Sequence, residues 1–187
     1  EDRLKSTDKG MQNLAPTRFR ETNNPDKCIV IPVVSSEKRP YIPIGFIDKN
    51  TISTNGNLII PNGDLFLFGQ ITSLTHIAWV KYTCGRLESR FRYSKDIVYN
   101  NYPFPKDVNE KQKSAVEEKA QNVLDIRASF NDCSLADLYD PLSMPPNLKK
   151  AHQELDKAVD NCYGTKSFKN DKERIEFLFG LYEEYLG

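Results

Sequence analysis

The spacing of the apolar residues changes along this chain, and that change limits the folds it can adopt. In the first third, apolar residues come in short β-branched runs between turn signals, such as Cys28–Val34 and Leu58–Ile60. Short runs at such intervals predict a compact unit of short strands. From Asn109 onward the apolar residues recur at helical spacing. The sequence therefore predicts an α+β fold, in which a small β-rich unit with one packed helix precedes an antiparallel helical unit.

Two further segments are predicted to be strands of the β-rich unit. Tyr41–Ile47 alternates around a proline and a glycine, which is typical of an edge or bulged strand, and Leu65–Phe68 is a short apolar run. Residues 70–83 then change to a helical stripe, and this is the helix that we expect to pack on the strands. Within it, we expect Trp79 to lie in the core and His76 to be a satisfied polar side chain rather than a ligand or a base.

The helical unit is predicted from its caps as well as from its spacing. Asn109 is placed to cap the first helix, and a proline pair opens a later one at a position where proline is well tolerated. We expect His152 to pack on a helical face. The predicted helices are 109–129, Leu135–Tyr139, a helix from Met144-Pro145-Pro146-Asn147 to Gly164, and a last helix capped by Asp171.

The charge of the chain is balanced overall but unevenly distributed. Its 26 basic and 26 acidic residues give a net charge of zero, which argues against a generic nucleic-acid coat. Residues 1–108 hold 15 basic and 11 acidic side chains, and residues 109–187 hold 11 and 15. Between Trp79 and Lys95, five basic residues accompany one acidic residue. Such a basic stripe suits a module that reads a DNA site, because contacts to phosphates supply affinity and position.

The cysteines and histidines do not form a metal-binding pattern. The four cysteines are scattered, none makes a CxxC pair, and there are two histidines. We therefore expect no metal, and reduced thiols that fill the core. No apolar run approaches the roughly 18 residues of a transmembrane helix and no signal peptide opens the chain, so we expect a cytoplasmic protein without membrane contact. Because the chain starts Glu1-Asp2-Arg3 without Met, we expect a fragment of a longer protein.

The stretch from Arg86 to Tyr93 carries the strongest functional signal. In a β-strand, alternate side chains point to opposite faces. As one strand, this stretch would present Arg86, Glu88, Arg90 and Arg92 on one face and the core residues Leu87, Phe91 and Tyr93 on the other. Arginine donates two hydrogen bonds to guanine, and a carboxylate accepts from cytosine N4. The pattern indicates DNA reading; the alternative is an edge strand with a solvated charged face, which is common.

The sequence lacks the motifs of catalysis. It has no glycine-rich dinucleotide or methyl-donor loop, no P-loop, and no Ser/His/Asp spacing typical of a hydrolase. Met144 precedes the proline pair, so that segment is not the Asn-Pro-Pro-Tyr signature of amino-methyltransferases. We expect no catalytic residue in this chain.

Several segments resemble a known family. Those that resemble the target-recognition domain of MmeI-like enzymes are Val34–Phe46, Leu74–Trp79, Cys84–Ser94 and Val98–Pro105. Met144–Leu148 and Arg174–Leu178 resemble the C-terminal helical part of the same enzymes. On this resemblance we predict a connecting arm over residues 1–27, a DNA target-recognition domain over 28–105 and a C-terminal helical domain over 106–187.

The resemblance also implies a function. MmeI-like enzymes are single-chain type II restriction–modification enzymes that join an endonuclease to an adenine-N6 DNA methyltransferase. The parent protein would use S-adenosylmethionine and Mg²⁺, whereas this fragment is expected to hold no cofactor. Its partners would be double-stranded DNA and the catalytic methyltransferase and endonuclease domains of the parent chain. In the family, base contacts come from the strand that matches Glu88, Arg90 and Arg92 and from the loop that matches about Gly56.

The resulting prediction is sequence-specific recognition of double-stranded DNA on behalf of a methyltransferase and nuclease. Arg90 and Arg92 would donate to guanine, and Glu88 would accept from cytosine. The predicted contacts to the DNA backbone are Arg86, Lys81, Lys95, Lys38, Arg39, Asn100 and Asn101. The alternative is a non-catalytic protein-interaction module whose basic strand binds an acidic partner.

Overall fold

The computed structural model describes Thr7, residues 25–164 and residues 168–187. Most of the predicted connecting arm, residues 1–6 and 8–24, therefore lies outside the described residues. In the described ranges the chain combines two small antiparallel sheets with a set of α-helices, which confirms the predicted α+β class.

Each sheet has three strands in the part of the chain that the structure describes. The strands are β1 (Lys27–Pro32), β2 (Val34–Ser35), β3 (Gly45–Asp48), β4 (Asn57–Pro61), β5 (Gly85–Leu87) and β6 (Arg90–Arg92). The first sheet has the order β3-β1-β4, and its central strand buries Ile29 and Ile31. The second sheet has the order β2-β6-β5. The two sheets are joined directly, because a single residue, Val33, separates β1 from β2.

The helices lie mainly after the second sheet. They are α1 (Leu65–Thr72), α2 (Leu74–Thr83), α3 (Glu110–Ala128), α4 (Leu135–Leu138), α5 (Pro146–Cys162) and α6 (Asp171–Leu186), and a π-helical turn spans Lys95–Tyr99. The predicted cap of α3 is confirmed, since Asn109 and Gln112 form a reciprocal capping box. The last helix is capped by Asn170 rather than by Asp171, because the Asn170 side chain accepts from the Glu173 N–H at 3.0 Å.

Two predictions for the segment before β5 are wrong. Leu65–Phe68 is the first turn of α1 rather than a strand, because the Asp64 carboxylate accepts from the Leu67 N–H at 2.8 Å and starts a helix there. The helix predicted over 70–83 is two helices. Ser73 has an extended backbone, which ends α1, and its hydroxyl caps α2. Two short helices, not one, therefore pack on the strands.

The predicted strand over residues 41–47 is also shorter than expected. Only residues 45–47 of that stretch pair with β1, as part of β3. Tyr41 and Ile42 are instead buried side chains of a connecting segment. Tyr41 is held there because its hydroxyl donates to the Asp156 carboxylate of α5 at 2.7 Å. A long-range contact, which the local pattern does not encode, keeps this segment out of the sheet.

The β-rich and helical units share one hydrophobic core. Helix α1 packs against α3 and α5, and α2 packs against α5 and α6. Gly69 permits the approach of α1, since a Cβ at that position would lie 2.5 Å from Val116 Cγ1 and 3.3 Å from Leu155 Cδ1. The buried Trp79 ring of α2 contacts Phe179 of α6, with 5.3 Å between the ring centroids.

Two buried carboxylates of α5 attach the start of α2 to the helical unit. Asp156 accepts from the Leu74 N–H at 2.7 Å, a group that has no partner within its own helix. Asp160 accepts from the Thr75 hydroxyl at 2.6 Å and pairs with the buried Arg174 at 3.2 Å. Burial raises the pKa of the Asp156 carboxyl to about 7. The hydrogen bonds of Asp156 and Asp160 fix the first turn of α2 to α5.

A buried arginine makes a second connection between the units. Arg127 of α3 donates to the Ile44 carbonyl and to the Tyr139 hydroxyl, both at 2.6 Å. The Tyr139 hydroxyl also shares a hydrogen bond of 2.7 Å with His152 Nε2, and the His152 ring stacks on Tyr41 at 4.0 Å. The prediction that His152 packs on a helical face is confirmed.

Replacement of Gly69 by alanine is expected to destabilise the fold. The new methyl group would collide with Val116 and Leu155, and overpacking of a core costs about 1–3 kcal/mol. Gly180→Ala in α6 is the matched control, since nothing lies within 4 Å of a Cβ there, and alanine is favoured over glycine in helices by about 1 kcal/mol. Urea unfolding should show a lower midpoint for Gly69→Ala and an equal or higher one for Gly180→Ala. The same gain in helix propensity applies at Gly69, so the overpacking cost is measured by how far the Gly69→Ala midpoint falls below that of Gly180→Ala. Equal midpoints for the two variants would contradict the close packing of α1.

Candidate nucleic-acid interface

The charged stretch forms a β-hairpin rather than the single strand predicted. Strands β5 and β6 pair with Gly85 opposite Arg92, Arg86 opposite Phe91, and Leu87 opposite Arg90. Glu88 and Ser89 form the two-residue turn between them. The φ angle of Glu88 is 57°, in the left-handed region that hairpin turns require and that glycine or asparagine fills more easily. The sequence offers no such turn residue, and this is why the hairpin is not evident from it.

The hairpin changes which side chains share a face. Directly opposed residues of an antiparallel pair point to the same side. The inner face therefore carries Phe91 and Arg86, and the outer face carries Arg90, Arg92 and Leu87. The prediction that Arg86 shares a face with Arg90 and Arg92 is wrong. Leu87 is not the predicted core residue either, since 43% of it is exposed.

Buried contacts hold the inner face of the hairpin onto α2. Phe91 and Tyr93 are both buried. The Tyr93 hydroxyl and His76 Nε2 share a hydrogen bond of 2.8 Å, and the Tyr93 N–H donates to the Val33 carbonyl at 2.8 Å. Burial lowers the pKa of His76 to about 3, so its ring is neutral at neutral pH. The prediction that His76 is a satisfied polar side chain holds for Nε2, whereas its Nδ1 atom is buried without a hydrogen-bond partner. The ring packs beneath the hairpin and supports it.

An exposed ion pair links the turn to the outer face. Arg90 Nη2 donates to Glu88 Oε2 at 2.8 Å, and the two side chains are 46% and 76% exposed. An ion pair in such a position is worth about 0–1 kcal/mol, so either group can exchange its partner at little cost. The pair therefore suits the reading of a base pair, and it also fits a plain surface salt bridge.

A second basic turn lies at the same end of the second sheet as the hairpin turn. Strand β2 runs antiparallel to β6, with Ser35 opposite Phe91. The residues that follow β2 therefore continue toward the end of the sheet at which Glu88 and Ser89 lie. Those residues include Lys38 and Arg39, in a tight turn in which the Arg39 N–H donates to the Ser36 carbonyl at 3.3 Å. The register thus brings Lys38 and Arg39 to the turn end of the hairpin.

A cavity of about 380 Å³ lies at the opposite end of the hairpin. It is formed by the edge strand β4 and by residues that follow β6, and its lining includes Asn57, Lys95, Tyr99 and Asn100. Gly56 comes directly before β4. The predicted contact residues Lys95 and Asn100 thus line one opening, and Gly56 is next in the chain to its lining residue Asn57. Arg92 lies between this group and the hairpin turn.

Five of the seven predicted DNA-backbone contacts have side chains with partners within the protein. Two of these partnerships are loose, since the Lys95 ammonium and the Asn100 amide lie 3.6 Å and 3.5 Å from the Asp96 carboxylate. The other three are closer. The Lys81 ammonium lies 2.5 Å from the Asp171 carboxylate of α6. The Asn101 side-chain amide donates to two carbonyls of the π-helical turn, at 2.9 Å and 3.0 Å. Arg86 donates to two backbone carbonyls and lies over the Phe91 ring.

Two neighbours of these residues, the exposed Leu87 and the half-buried Asn57, are absent from the sequence prediction. Leu87 faces outward beside Arg90, and the one-strand interpretation assigns it to the core. Nothing in the local pattern corrects that assignment. Asn57 lines the cavity beside Lys95 and Asn100, and here a signal exists, because it directly follows the turn residue Gly56.

The described ranges contain no group of three or more His, Cys, Asp or Glu side chains that could hold a metal ion. All four cysteines are free, and the prediction that they fill the core fits the buried Cys28 and Cys162 but is wrong for the exposed Cys133. Within the same ranges, no helix has both the length and the apolar character that crossing a membrane requires.

Comparison with known proteins covers almost the whole chain. The family model described as MmeI, target recognition domain, matches residues 1–106, and the one described as MmeI, C-terminal domain, matches residues 108–187. DNA methyltransferase A of Bacillus subtilis (strain 168) is 42% identical over 185 residues, which are 97% of this chain and 21% of that protein. The solved structure of the type IIL restriction-modification enzyme MmeI in complex with DNA is similar with a TM-score of 0.90 and 45% identity, over 98% of this chain and 25% of that chain. The chain thus spans between a fifth and a quarter of the length of these two relatives.

Both histidine rings are expected to stay uncharged from pH 8 down to pH 5 in the folded protein. Burial lowers the pKa of His76 to about 3 and lowers that of His152 as well. The unfolded chain should titrate near the ordinary value of about 6.5. Because the unfolded state then binds more protons, each histidine contributes stability above about pH 6.5 that is lost as the pH falls. The check is an NMR titration of the rings with and without urea, and a folded-state midpoint near 6.5 for His76 would contradict its burial beneath the hairpin.

Proposed function

The chain belongs to the MmeI family, and we propose that it is the sequence-specific double-stranded DNA recognition module of a restriction–modification DNA methyltransferase. One observation carries this proposal: the outer face of a short hairpin presents Arg90 and Arg92 to solvent, while its inner face is fixed by the buried Phe91 and Tyr93. A base-reading group must be held firmly, because a loosely held side chain loses its discrimination between bases. The hairpin combines exposed arginines with a rigid support.

The base contacts are assigned to the outer face and to the turn. Arg90 and Arg92 would each donate two hydrogen bonds to the O6 and N7 atoms of a guanine in the major groove. Glu88 would accept from the N4 amino group of the cytosine paired with the guanine that Arg90 contacts. The turn at Gly56 would approach the DNA with its backbone, next to Asn57. A major groove about 12 Å wide admits a two-stranded ribbon such as β5–β6.

The contacts to the DNA backbone are assigned to the two ends of the hairpin. Lys38 and Arg39 would bind phosphates at the turn end, and Lys95 and Asn100 would bind them at the cavity end. These contacts supply most of the affinity and fix the register of the module on the duplex. Lys81 and Asn101 are weaker assignments, because each would have to leave a close partner to bind a phosphate. Lys95 and Asn100 would leave only the looser contacts to the Asp96 carboxylate, at 3.6 Å and 3.5 Å.

The activity that we propose belongs to the parent protein. We propose that the parent methylates adenine at N6 with S-adenosylmethionine and cuts DNA with a Mg²⁺-dependent endonuclease, and that it acts in the cytoplasm, where its DNA lies. Two relatives support a methyltransferase and restriction role of the parent: one is a DNA methyltransferase, and the other is a restriction-modification enzyme whose structure was solved in complex with DNA. This chain would supply recognition and no catalytic residue, and its partners would be the catalytic domains of the parent.

Binding of this chain to duplex DNA is expected to weaken steeply with salt. If the module neutralises roughly three to five phosphates, affinity should fall roughly 40- to 500-fold between 50 mM and 200 mM salt. The measurement is a titration of a labelled duplex selected from a random pool, with an unselected duplex of the same length as control. The alternative function, binding of an acidic protein partner, predicts no preference between the two duplexes. Equal affinity at both salt concentrations would contradict the phosphate contacts.

Exchange of the charges of the turn pair is expected to reverse one base pair of the recognition site. In the parent protein, Glu88→Lys would replace the carboxylate that accepts from cytosine by a hydrogen-bond donor. Arg90→Asp would replace the guanidinium that donates to guanine by an acceptor. Each good base contact discriminates by about 1–3 kcal/mol, so the reversed C·G pair should become the preferred one. The single variants are the controls, and each should lose affinity without gaining the reversed site.

The measurement for this exchange is the sequence of the methylated sites in DNA that the parent has modified. Arg92 is unchanged in the double variant and should still contact the same guanine. That guanine therefore shows how the altered site aligns with the original one. If the double variant modified the original site with normal activity, the pair would be a surface salt bridge and would not read a base.

A further inference from the structure

We propose that Arg86 is a positioning residue, which holds the turn of the hairpin so that Glu88 and Arg90 meet their base pair in a fixed geometry. This proposal rests on the proposed DNA-reading function and replaces the phosphate contact expected of Arg86 from the sequence. It differs from the base-reading assignments, because Arg86 would act through the turn and would not touch DNA.

Three contacts hold the Arg86 guanidinium in place. Its Nη1 donates to the Ser89 carbonyl in the turn at 3.2 Å, and its Nη2 donates to the Lys81 carbonyl at 3.1 Å. Its central carbon lies 4.5 Å from the centroid of the buried Phe91 ring. One side chain thereby joins the turn, the core side of β6 and the end of α2.

We call the hydrogen bonds of Arg86 to the Ser89 and Lys81 carbonyls, together with its contact to Phe91, the Arg86 brace. The Lys81 carbonyl is a suitable anchor for it. It belongs to the last turn of α2, where carbonyl groups lack a partner within the helix and the helix dipole favours a cation. The start of α2 is fixed by the buried Asp156, so its end is a firm point of attachment. The Ser89 carbonyl, by contrast, belongs to an exposed two-residue turn. The brace therefore connects the least supported part of the hairpin to a rigid helix.

The turn needs this support because its backbone is unfavourable. Glu88 is not glycine, yet it has a φ angle of 57°, and the left-handed conformation costs other residues about 1–2 kcal/mol. A carboxylate at this position, rather than the glycine that the turn favours, is what the reading of cytosine requires. The hydrogen bond from Arg86 to Ser89 offsets part of the cost and limits the movement of the turn.

Lysine cannot replace arginine in this role. The guanidinium is planar, donates in two directions at once and stacks on an aromatic ring, whereas an ammonium group is a point charge. A phosphate contact, by contrast, is retained to a large extent by lysine. Arg86→Lys therefore separates the two roles, because it keeps the charge and removes the brace.

The two roles also leave different signatures in DNA binding. Loss of a phosphate contact weakens binding to all sequences alike and lowers the salt slope by about 1. Loss of the brace frees the turn, so that discrimination falls at the one base pair that Glu88 and Arg90 read. The salt slope and the discrimination at the base read by Arg92 would stay as they are.

The experiment uses the full-length parent protein. Duplexes bound by the wild-type protein are first selected from a random pool to define its site. Affinities are then measured at several salt concentrations for that site and for duplexes changed at each position in turn. The variants are Arg86→Lys and Arg86→Gln, and Lys95→Gln serves as the phosphate-contact control because the Lys95 side chain is 67% exposed.

For both Arg86 variants we expect a loss of discrimination of tenfold or more at one position, with an unchanged salt slope and a small decrease of the thermal unfolding midpoint, because the lost hydrogen bonds stabilise only an exposed turn. Lys95→Gln should lower the slope and keep discrimination at every position. The proposal is overturned if Arg86→Lys discriminates like the wild-type protein, if Arg86→Gln lowers the slope alone, or if the variants lose affinity equally for all duplexes. If the wild-type protein selects no site, the proposed function itself fails.

Discussion

The attachment of α2 to α5 is the interaction on which the rest of the site depends. The buried Asp156 holds the first N–H of α2, and Asp160 holds Thr75 beside it. Because α2 is fixed in this way, His76 presents its ring to the Tyr93 hydroxyl, and Tyr93 in turn fixes the end of β6. The outward-facing arginines of β6 are therefore positioned by a chain of buried contacts that begins in the helical unit. The C-terminal helices therefore support the proposed recognition site, although they contribute no residue to the outer face of the hairpin.

In the proposed function, the two faces of the hairpin have different roles. On the inner face, burial and hydrogen bonds to α2 limit movement, and on the outer face the ion pair of Glu88 with Arg90 is exposed and weakly held. In the free protein, a weak exposed ion pair keeps each charged group near the position from which it would contact a base. When a base pair offers better partners, the ion pair is broken at little cost in free energy. A strong buried pair in the same place would have to be broken on binding. The same hairpin can thus present different charged residues without any change in its support.

The elements that can be predicted from the sequence are those determined by interactions between residues close together in the chain. The cap at Asn109, the proline pair that opens α5 and the helical spacing after residue 108 all act within a few residues, and these helices lie where they were expected. Asp64 caps the helix that begins at Leu65, but the four apolar residues Leu65–Phe68 fit a buried strand equally well, and their packing against α3 and α5 distinguishes the two. The hairpin is hidden for a related reason. Glu88 adopts a left-handed conformation without being a turn residue, and the Arg86 brace that supports it reaches a carbonyl of another element. The charged residues that we propose for DNA contact are therefore evident in the sequence, but the faces of the hairpin on which they lie are not.

The central claim is that the outer face of the hairpin reads bases, and a structure of the parent protein bound to a duplex that carries its own site tests it most directly. The account predicts that β5 and β6 lie in the major groove, with the guanidinium groups of Arg90 and Arg92 within about 2.7–3.2 Å of guanine O6 and N7. It also predicts that the Glu88 carboxylate leaves Arg90 to accept from cytosine N4. A complex in which the hairpin faces solvent, with the ion pair of Glu88 and Arg90 intact and no base within hydrogen-bond distance, would contradict the account.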